Sequence, residues 1–250
     1  MLAITRRDVI REQLKEHKSI QITELAELLQ VTRETIRRDL RTMEKDGELI
    51  RTHGGAYILD GVQNDLDLST RQFLRVPEKE IIAQKCEKLI QNGDYIFLDD
   101  SSTCWFIARS VMFRKLAVLT NSLEIINLLS SSSTVKLFVV GGEYSPASKS
   151  FSKSSALWCM EHYRVDKSFI SCRSVSLEAG LTDTNDTDAM LHKLALEHAH
   201  ERYLAIDSSK LDRDSFAEIG PLTCLDGIIM DCPFPDNWVS YLTSNHIRIF

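Results

Sequence analysis

Val31-Thr32-Arg33-Glu34-Thr35-Ile36-Arg37-Arg38-Asp39-Leu40 separates into two faces when wound at helical spacing. Ile36, Leu40 and Met43 fall at i, i+4 and i+7 and form an apolar stripe. Arg33, Arg37 and Arg41 repeat at the same spacing on another face, with Arg38 and Lys45 beside them. Such a helix docks on a core with one side and meets phosphates with the other. Thr32 has the chemistry of an N-cap, so the helix is expected to begin there. Its first turn then carries Arg33, Glu34 and Thr35, where a recognition helix reaches base edges.

The flanking residues extend this pattern. Ile22, Leu25, Leu28 and Leu29 predict a short amphipathic helix, and Gln30-Val31 leaves only a tight turn before Thr32. Thr5 and Asp8 have capping-box spacing and are expected to open a first helix. In that helix Ile10 and Leu14 face inward, with Arg6, Arg7 and Arg11 outward. Gly47 is expected to end the third helix. Leu49-Ile50-Arg51 and Gly55-Ala56-Tyr57-Ile58 read as two short strands around Thr52-His53-Gly54. Three helices and a β-hairpin make a winged helix-turn-helix. A solvated basic face is the plain alternative for one such helix; here the turn, the cap and the glycine-rich wing agree with one another.

Residues of about 3 to 57 resemble the helix-turn-helix of the DeoR family of bacterial transcriptional regulators. The matching residues are Thr35-Ile36-Arg37-Arg38-Asp39-Leu40, Glu44, Gly47, Arg51 and His53-Gly54-Gly55-Ala56. The DNA-contacting set expected is Thr32, Arg33, Glu34, Thr35, Arg37, Arg38, Arg41, Arg51 and His53.

The chain has 250 residues, room for a small domain and one of ordinary size. At 43% hydrophobic and 26% charged residues it has a soluble globular composition. No apolar run approaches a membrane span, and the N-terminus is charged too early for a signal peptide, so a cytoplasmic protein without a membrane partner is expected. Cys86, Cys104, Cys159, Cys172, Cys224 and Cys232 form no CxxC pair and read as buried, reduced thiols. No metal site and no cofactor is expected. The net charge is −6 overall, with 11 Lys+Arg against 10 Asp+Glu in the first 57 residues. Positive charge is therefore arranged on one surface rather than spread in bulk, and the acidic remainder repels DNA. Modest non-specific affinity follows, with two or more copies acting together.

Residues 1–58 are thus expected to form the DNA-binding domain, 59–76 a polar linker and 77–250 a second domain. Pro77 stands at the start of a helix running toward Gly93. Short apolar runs follow at 95–98, 117–119, 135–140, 168–170, 203–206, 227–230 and 247–250. Helical patterns lie at about 104–111, 122–129, 154–163, 189–201 and 236–243. The alternation predicts an α/β domain with a mostly parallel sheet.

Polar loops recur at the carboxyl ends of these strands, where an open α/β sheet binds ligands. They are Asp99-Asp100-Ser101-Ser102-Thr103, Thr120-Asn121-Ser122, Gly141-Gly142-Glu143 and Asp207-Ser208-Ser209-Lys210. Ser101-Ser102-Thr103 before a helix start offers hydroxyls, N–H groups and a positive dipole end to a phosphate. Helix capping is the simpler role for any one such turn. Lys193 or Lys210 would add a point charge.

Residues of about 77 to 232 resemble the sensor domain of the same family, whose fold is similar to ribose-5-phosphate isomerase and the CoA transferases. Gly93-Asp94, Ile96-Phe97-Leu98-Asp99, Thr120-Asn121-Ser122-Leu123, Gly141-Gly142, Gly180-Leu181-Thr182 and Asp207-Ser208-Ser209-Lys210 carry the resemblance. It implies a phosphorylated sugar effector, a phosphate loop at Ser101, Ser102 and Thr103, and a pocket lined by Asn121, Gly142, Lys193 and Lys210. Asp99, Thr120, Ser122, Gly141, Glu143 and Arg173 complete the candidate set. Two departures stand out. Ser102 replaces the family's usual loop glycine, and Ser171-Cys172-Arg173-Ser174 replaces a glycine-rich turn. Arg173 reads equally as an effector contact or a surface ion pair.

The expected protein is a regulator of double-stranded operator DNA, a repressor of sugar catabolism that assembles as a homodimer or larger homo-oligomer. The first alternative is a sugar-phosphate isomerase fused to a DNA-binding domain. That chemistry needs a positioned carboxylate base, and no carboxylate follows Ile170 until Glu178. The second alternative is a purely structural oligomerisation domain, for which no metabolite would alter DNA affinity.

Overall fold

The computed structural model describes residues 2–17, 19–46, 48–51, 54–57 and 68–250. The chain forms two compact units, Met1–Leu74 and Arg75–Phe250.

The first unit runs α1 (Ala3–His17), β1 (Ser19–Gln21), α2 (Ile22–Leu28), α3 (Arg33–Lys45), β2 (Ile50–Arg51), β3 (Gly55–Tyr57) and α4 (Leu68–Phe73). Ile10, Leu14, Ile22, Leu25, Ile36, Leu40 and Met43 close one core, as the apolar spacing requires. Leu28 departs from the expected stripe and is exposed. α1 begins two residues before the expected Thr5, since Arg6 N–H already bonds Leu2 O at 3.1 Å. Between α2 and α3 the chain closes a Schellman turn. Val31 N–H bonds Ala26 O at 3.0 Å, Gln30 N–H bonds Glu27 O at 3.3 Å, and Gln30 takes φ 53°. Thr32 caps α3, its hydroxyl accepting from Thr35 N–H at 3.2 Å.

The wing has three strands rather than two, in the antiparallel order β1-β3-β2. Gly47, which the sequence places at the end of α3, and the wing-tip residues Thr52 and His53 lie outside the described residues. Gly55 packs its backbone on β1 so closely that a Cβ would stand 1.9 Å from Ile20 O. Gly55→Ala is therefore expected to push β3 off β1 and destabilise this unit by about 1–3 kcal/mol, the cost of overpacking. Its thermal unfolding midpoint reads that loss directly. Within the stretch read as a linker, Leu68–Phe73 is helical, Leu68 is buried, and residues 58–67 lie outside the described residues.

The second unit opens with α5 (Val76–Leu89), β4 (Tyr95–Leu98), α6 (Ser102–Val111), β5 (Leu116–Thr120), α7 (Leu123–Leu129) and β6 (Val135–Val139). A hairpin follows, β7 (Glu143–Ser145) and β8 (Ser150–Ser152), then α8 (Lys153–Glu161) and β9 (Val165–Ile170). The chain continues through β10 (Ser174–Ser176), β11 (Gly180–Asp183), α9 (Asp186–Glu197) and β12 (Ala199–Ile206). It ends with β13 (Ala217–Gly220), β14 (Gly227–Met230), α10 (Asp236–Ser244) and β15 (Arg248–Ile249). Seven strands form one parallel sheet in the order β15-β14-β12-β9-β4-β5-β6. Two buried apolar clusters cover it, one holding Phe97, Leu204 and Trp238, the other Ile96, Phe106 and Tyr203. This alternation of faces along each strand places helices on both sides.

Several sequence expectations need correction here. The helix expected at 189–201 ends at Glu197, and β12 starts at Ala199, paired with Val165. Its polar opening, His200-Glu201-Arg202, hides the strand from a hydrophobicity reading. The β7–β8 hairpin and the antiparallel sheet β10-β11-β13 are additions to the expected layout. Cys232 is exposed, whereas Cys86, Cys104 and Cys172 are buried and burial pushes their thiols up. Among the described residues no helix is long and apolar enough to cross a membrane.

Candidate nucleic-acid interface and effector crevice

On α3 the two faces differ in what holds them. Ile36, Asp39, Leu40 and Met43 are buried, while Arg33, Arg37, Arg38 and Arg41 are exposed. Arg37 Nη1 lies 3.4 Å from Glu34 Oε2, a loose surface pair. Thr32, Arg33, Glu34 and Thr35 stand at the start of the same helix, with Arg37, Arg38 and Arg41 on its following turns.

Of the α1 arginines read as outward, Arg6 is turned inward, while Arg7 and Arg11 are half-buried. Arg6 is buried, and its Nε donates to Asp39 Oδ2 at 2.7 Å. Arg7 Nε lies 3.9 Å from the other Asp39 oxygen. Arg11 grips Glu48 with two bonds, at 2.5 and 2.8 Å. Arg51 is similarly engaged, its Nε donating to Glu44 Oε2 at 2.7 Å and its N–H to Oε1 at 3.2 Å. Arg6 fastens α1 to α3, Arg11 ties α1 to the segment between α3 and β2, and Arg51 ties the wing to α3. Arg51 is thus a wing brace first, and His53 lies outside the described residues.

In the second unit the strand order reverses between β4 and β9, and the crevice beyond their carboxyl ends is the ligand position of an open parallel sheet. Asp99 bridges it. Its Oδ1 accepts from Ser101 N–H at 2.9 Å and its Oδ2 from Ser171 N–H, beyond β9, at 2.6 Å. Ser101 in turn caps α6, accepting from Cys104 N–H at 3.0 Å. Ser102 and Thr103 are buried at the helix start. Thr120, Asn121 and Ser122 are buried at the end of β5. There Thr120 accepts from Ser122 N–H at 3.1 Å, Ser122 caps α7, and Asn121 Nδ2 donates to Phe151 O at 3.2 Å. Among the described residues Asn121 Oδ1 is buried with no hydrogen-bond partner.

Gly141, Gly142 and Glu143 follow β6. A Cβ on Gly142 would stand 2.4 Å from Ser152 O, so this glycine serves the close approach of the hairpin. Arg173 is half-buried after β9, its N–H bonded to Thr182 O at 3.1 Å. Lys210 closes the short turn after β12, where its charge helps hold the buried Asp207 carboxylate below the usual range against burial. Lys193 differs from expectation and is exposed on α9; the inward position belongs to its neighbour.

That neighbour is His192, only 4% exposed and absent from the expected set. Nε2 lies 3.5 Å from Asp99 Oδ2 and Nδ1 lies 3.4 Å from Asp183 Oδ2. Burial disfavours the charged ring, but the Asp183 contact and the charges of Asp99, Asp183 and Asp100 outweigh it and lift the pKa to about 10. Asp183 is held low despite its burial, chiefly by His192. Burial, and then the like charges of Asp188 and Asp99, raise Asp100 to about 6. The signal was present in the sequence. Ala189, His192 and Leu196 fall at i, i+3 and i+7, so a titratable ring sits on the buried stripe of α9. Carboxylates for hydroxyl groups, a lysine and a capped helix start suit a polyhydroxylated anion.

The family described as the DeoR-like helix-turn-helix domain matches residues 6–62, and the DeoR C terminal sensor domain matches residues 74–232. YulB of Bacillus subtilis (strain 168), an uncharacterized HTH-type transcriptional regulator, is 33% identical over 249 residues, spanning 100% of this chain and 96% of its own. The L-fucose operon activator of Haemophilus influenzae is 32% identical over 97% of each chain. The lactose phosphotransferase system repressor of Lactococcus lactis subsp. lactis is 35% identical over 90% of each. All three bear the names of regulators, none of an enzyme. With an arginine-faced helix-turn-helix at one end and a sensor sheet at the other, the chain belongs to the DeoR family of DNA-binding transcriptional regulators.

Proposed function

We propose that this regulator represses a sugar-utilisation operon in the cytoplasm and releases its operator when a phosphorylated sugar fills the crevice at the ends of β4, β5, β9 and β12. The observation that carries the DNA reading is the division of labour among the arginines. Arg33, Arg37, Arg38 and Arg41 face solvent on α3, while those of α1 and the wing are tied to carboxylates. Ser101–Thr103 would seat the phosphate, and Asp99, Asn121, Arg173 and Lys210 would meet the sugar. Release requires the effector to favour one of two states, with a coupling of about 1–3 kcal/mol. A homodimer or larger homo-oligomer would place two recognition helices on half-sites of a paired operator.

The test is fluorescence anisotropy of the full chain on promoter fragments from its own locus, with and without aldose and ketose monophosphates. Operator affinity should fall steeply with salt, because phosphate contacts release counterions. Failure to prefer any such fragment would sink the DNA reading. Lys210→Ala is expected to bind operator like the wild type yet need about tenfold more effector for half-release. An unchanged release curve would move the pocket elsewhere. Light scattering of the chain with operator fixes the assembly, and a monomer on DNA contradicts the paired arrangement. Reporter expression in a deletion strain gives the sign of regulation.

A further inference from the structure

The effector crevice is braced from behind by a side chain that need not touch the effector. Asp99 holds the Ser101 cap with one oxygen and the end of β9 with the other. His192 approaches that second oxygen from α9 and reaches Asp183 on β11 with its other nitrogen. The contacts of 3.4 and 3.5 Å are those of an ion pair rather than short hydrogen bonds. Among the described residues Nδ1 makes no hydrogen bond, so its contact with Asp183 is electrostatic; a neutral imidazole would aim a lone pair at one of these carboxylates, whereas the doubly protonated ring presents positive charge to both.

We propose that His192, as an imidazolium, is the positioning residue of the effector crevice, clamping Asp99 to Asp183 and thereby fixing the Ser101–Thr103 turn that receives the effector. This rests on the effector reading above. The path is continuous: His192 to Asp99, Asp99 to Ser101 N–H, Ser101 Oγ to Cys104 N–H at the start of α6. The groups acting on the ring are Asp99 and Asp100 from the end of β4 and Asp183 from β11. Asp188, one turn earlier on α9, acts on Asp100, whose carboxyl also meets the Ser150 hydroxyl of β8. Lys210, after β12, acts on Asp183. Carboxylates thus dominate the ring's surroundings, and a positive centre there balances them. Without it, Asp99 would stand among like charges with no balancing cation, and its grip on the Ser101 and Ser171 N–H groups would weaken.

Wild type, His192→Gln and His192→Lys full chains test this. Gln keeps a donor and loses the charge; Lys keeps the charge. Operator affinity is expected to stay within about twofold in all three. The sugar monophosphate concentration for half-release should rise about tenfold in the Gln variant and return to within about threefold of wild type in the Lys variant. The probes are aldose and ketose monophosphates, with inorganic phosphate as control. A second readout needs no ligand. The pKa of His192 is raised from 6.5 to about 10 on folding, so its stabilisation is full below pH 6.5 and is lost as pH rises toward 10. The urea midpoint difference between wild type and His192→Gln should shrink over that window. Equal effector responses in wild type and the Gln variant overturn the proposal while leaving the effector reading intact. A stability difference that is flat with pH overturns the charged clamp. Should no sugar monophosphate release the wild-type chain, the effector reading fails first and the positioning role falls with it. If the Gln variant does not fold, Asp183→Asn, which removes the other end of the clamp, replaces it in the same comparison.

Discussion

Asp39→Ala is expected to unfold the N-terminal unit and abolish operator binding, while the C-terminal unit keeps its own melting transition. Asp39 lies on the buried stripe of α3 and neutralises Arg6, which is equally enclosed. Truncating the carboxylate removes one partner of a buried ion pair, a loss of about 3–5 kcal/mol. Small domains are stable by only about 5–15 kcal/mol, and one of this size sits toward the lower end. Calorimetry on the full chain reads the result as loss or a large downward shift of one transition. The double variant Arg6→Met/Asp39→Leu separates stability from DNA contact. Apolar replacement of both partners of a buried pair is often neutral or stabilising, so fold and operator binding should return together. If the single variant melts like wild type, the pair is not holding α1 on α3.

The double variant Arg33→Ala/Arg38→Ala should have the largest effect on DNA without touching the fold. Both side chains are exposed, and among the described residues neither guanidinium has an ion-pair partner. Stability is expected to change by no more than about 0.5 kcal/mol. Operator affinity is expected to fall by roughly ten- to hundredfold for each side chain that reads a base edge, at about 1–3 kcal/mol apiece. A side chain on a phosphate instead lowers the salt slope by about one. Anisotropy titrations across a salt series therefore assign each arginine its role. Unchanged affinity in the double variant would remove α3 from the groove.

What the sequence made legible is what local periodicity encodes. The buried stripe of α3, its Thr32 cap and the central strands of the parallel sheet all arise from residues within a few positions of one another. Arg6 and Asp39 are 33 residues apart, and nothing in either neighbourhood announces that they meet. A basic residue on a helix reads as outward until its partner is found. β1 carries one apolar residue, Ile20, between two polar ones, too little to show alternation. In the β10-β11-β13 sheet, β10 and β11 form a local hairpin of short strands, but β13 reaches β11 only after α9 and β12, so that pairing is a tertiary fact. In the crevice, the strand-end loops were visible as polar interruptions of apolar runs. His192 is hidden among the hydrophobic residues that define α9, and Lys193 beside it carries the more obvious charge.

The strand order of the second unit bears on how the polypeptide emerges from synthesis. β4, the earliest strand of its sheet, ends up in the middle, with β5 and β6 on one flank and β9 on the other. While β5 and β6 can dock as soon as they exist, the opposite border of β4 stays unsatisfied until β9 arrives some seventy residues later. Until then the backbone of Ile96–Leu98 is an unpaired sheet margin, of the kind that invites wrong pairing before its proper neighbour is made.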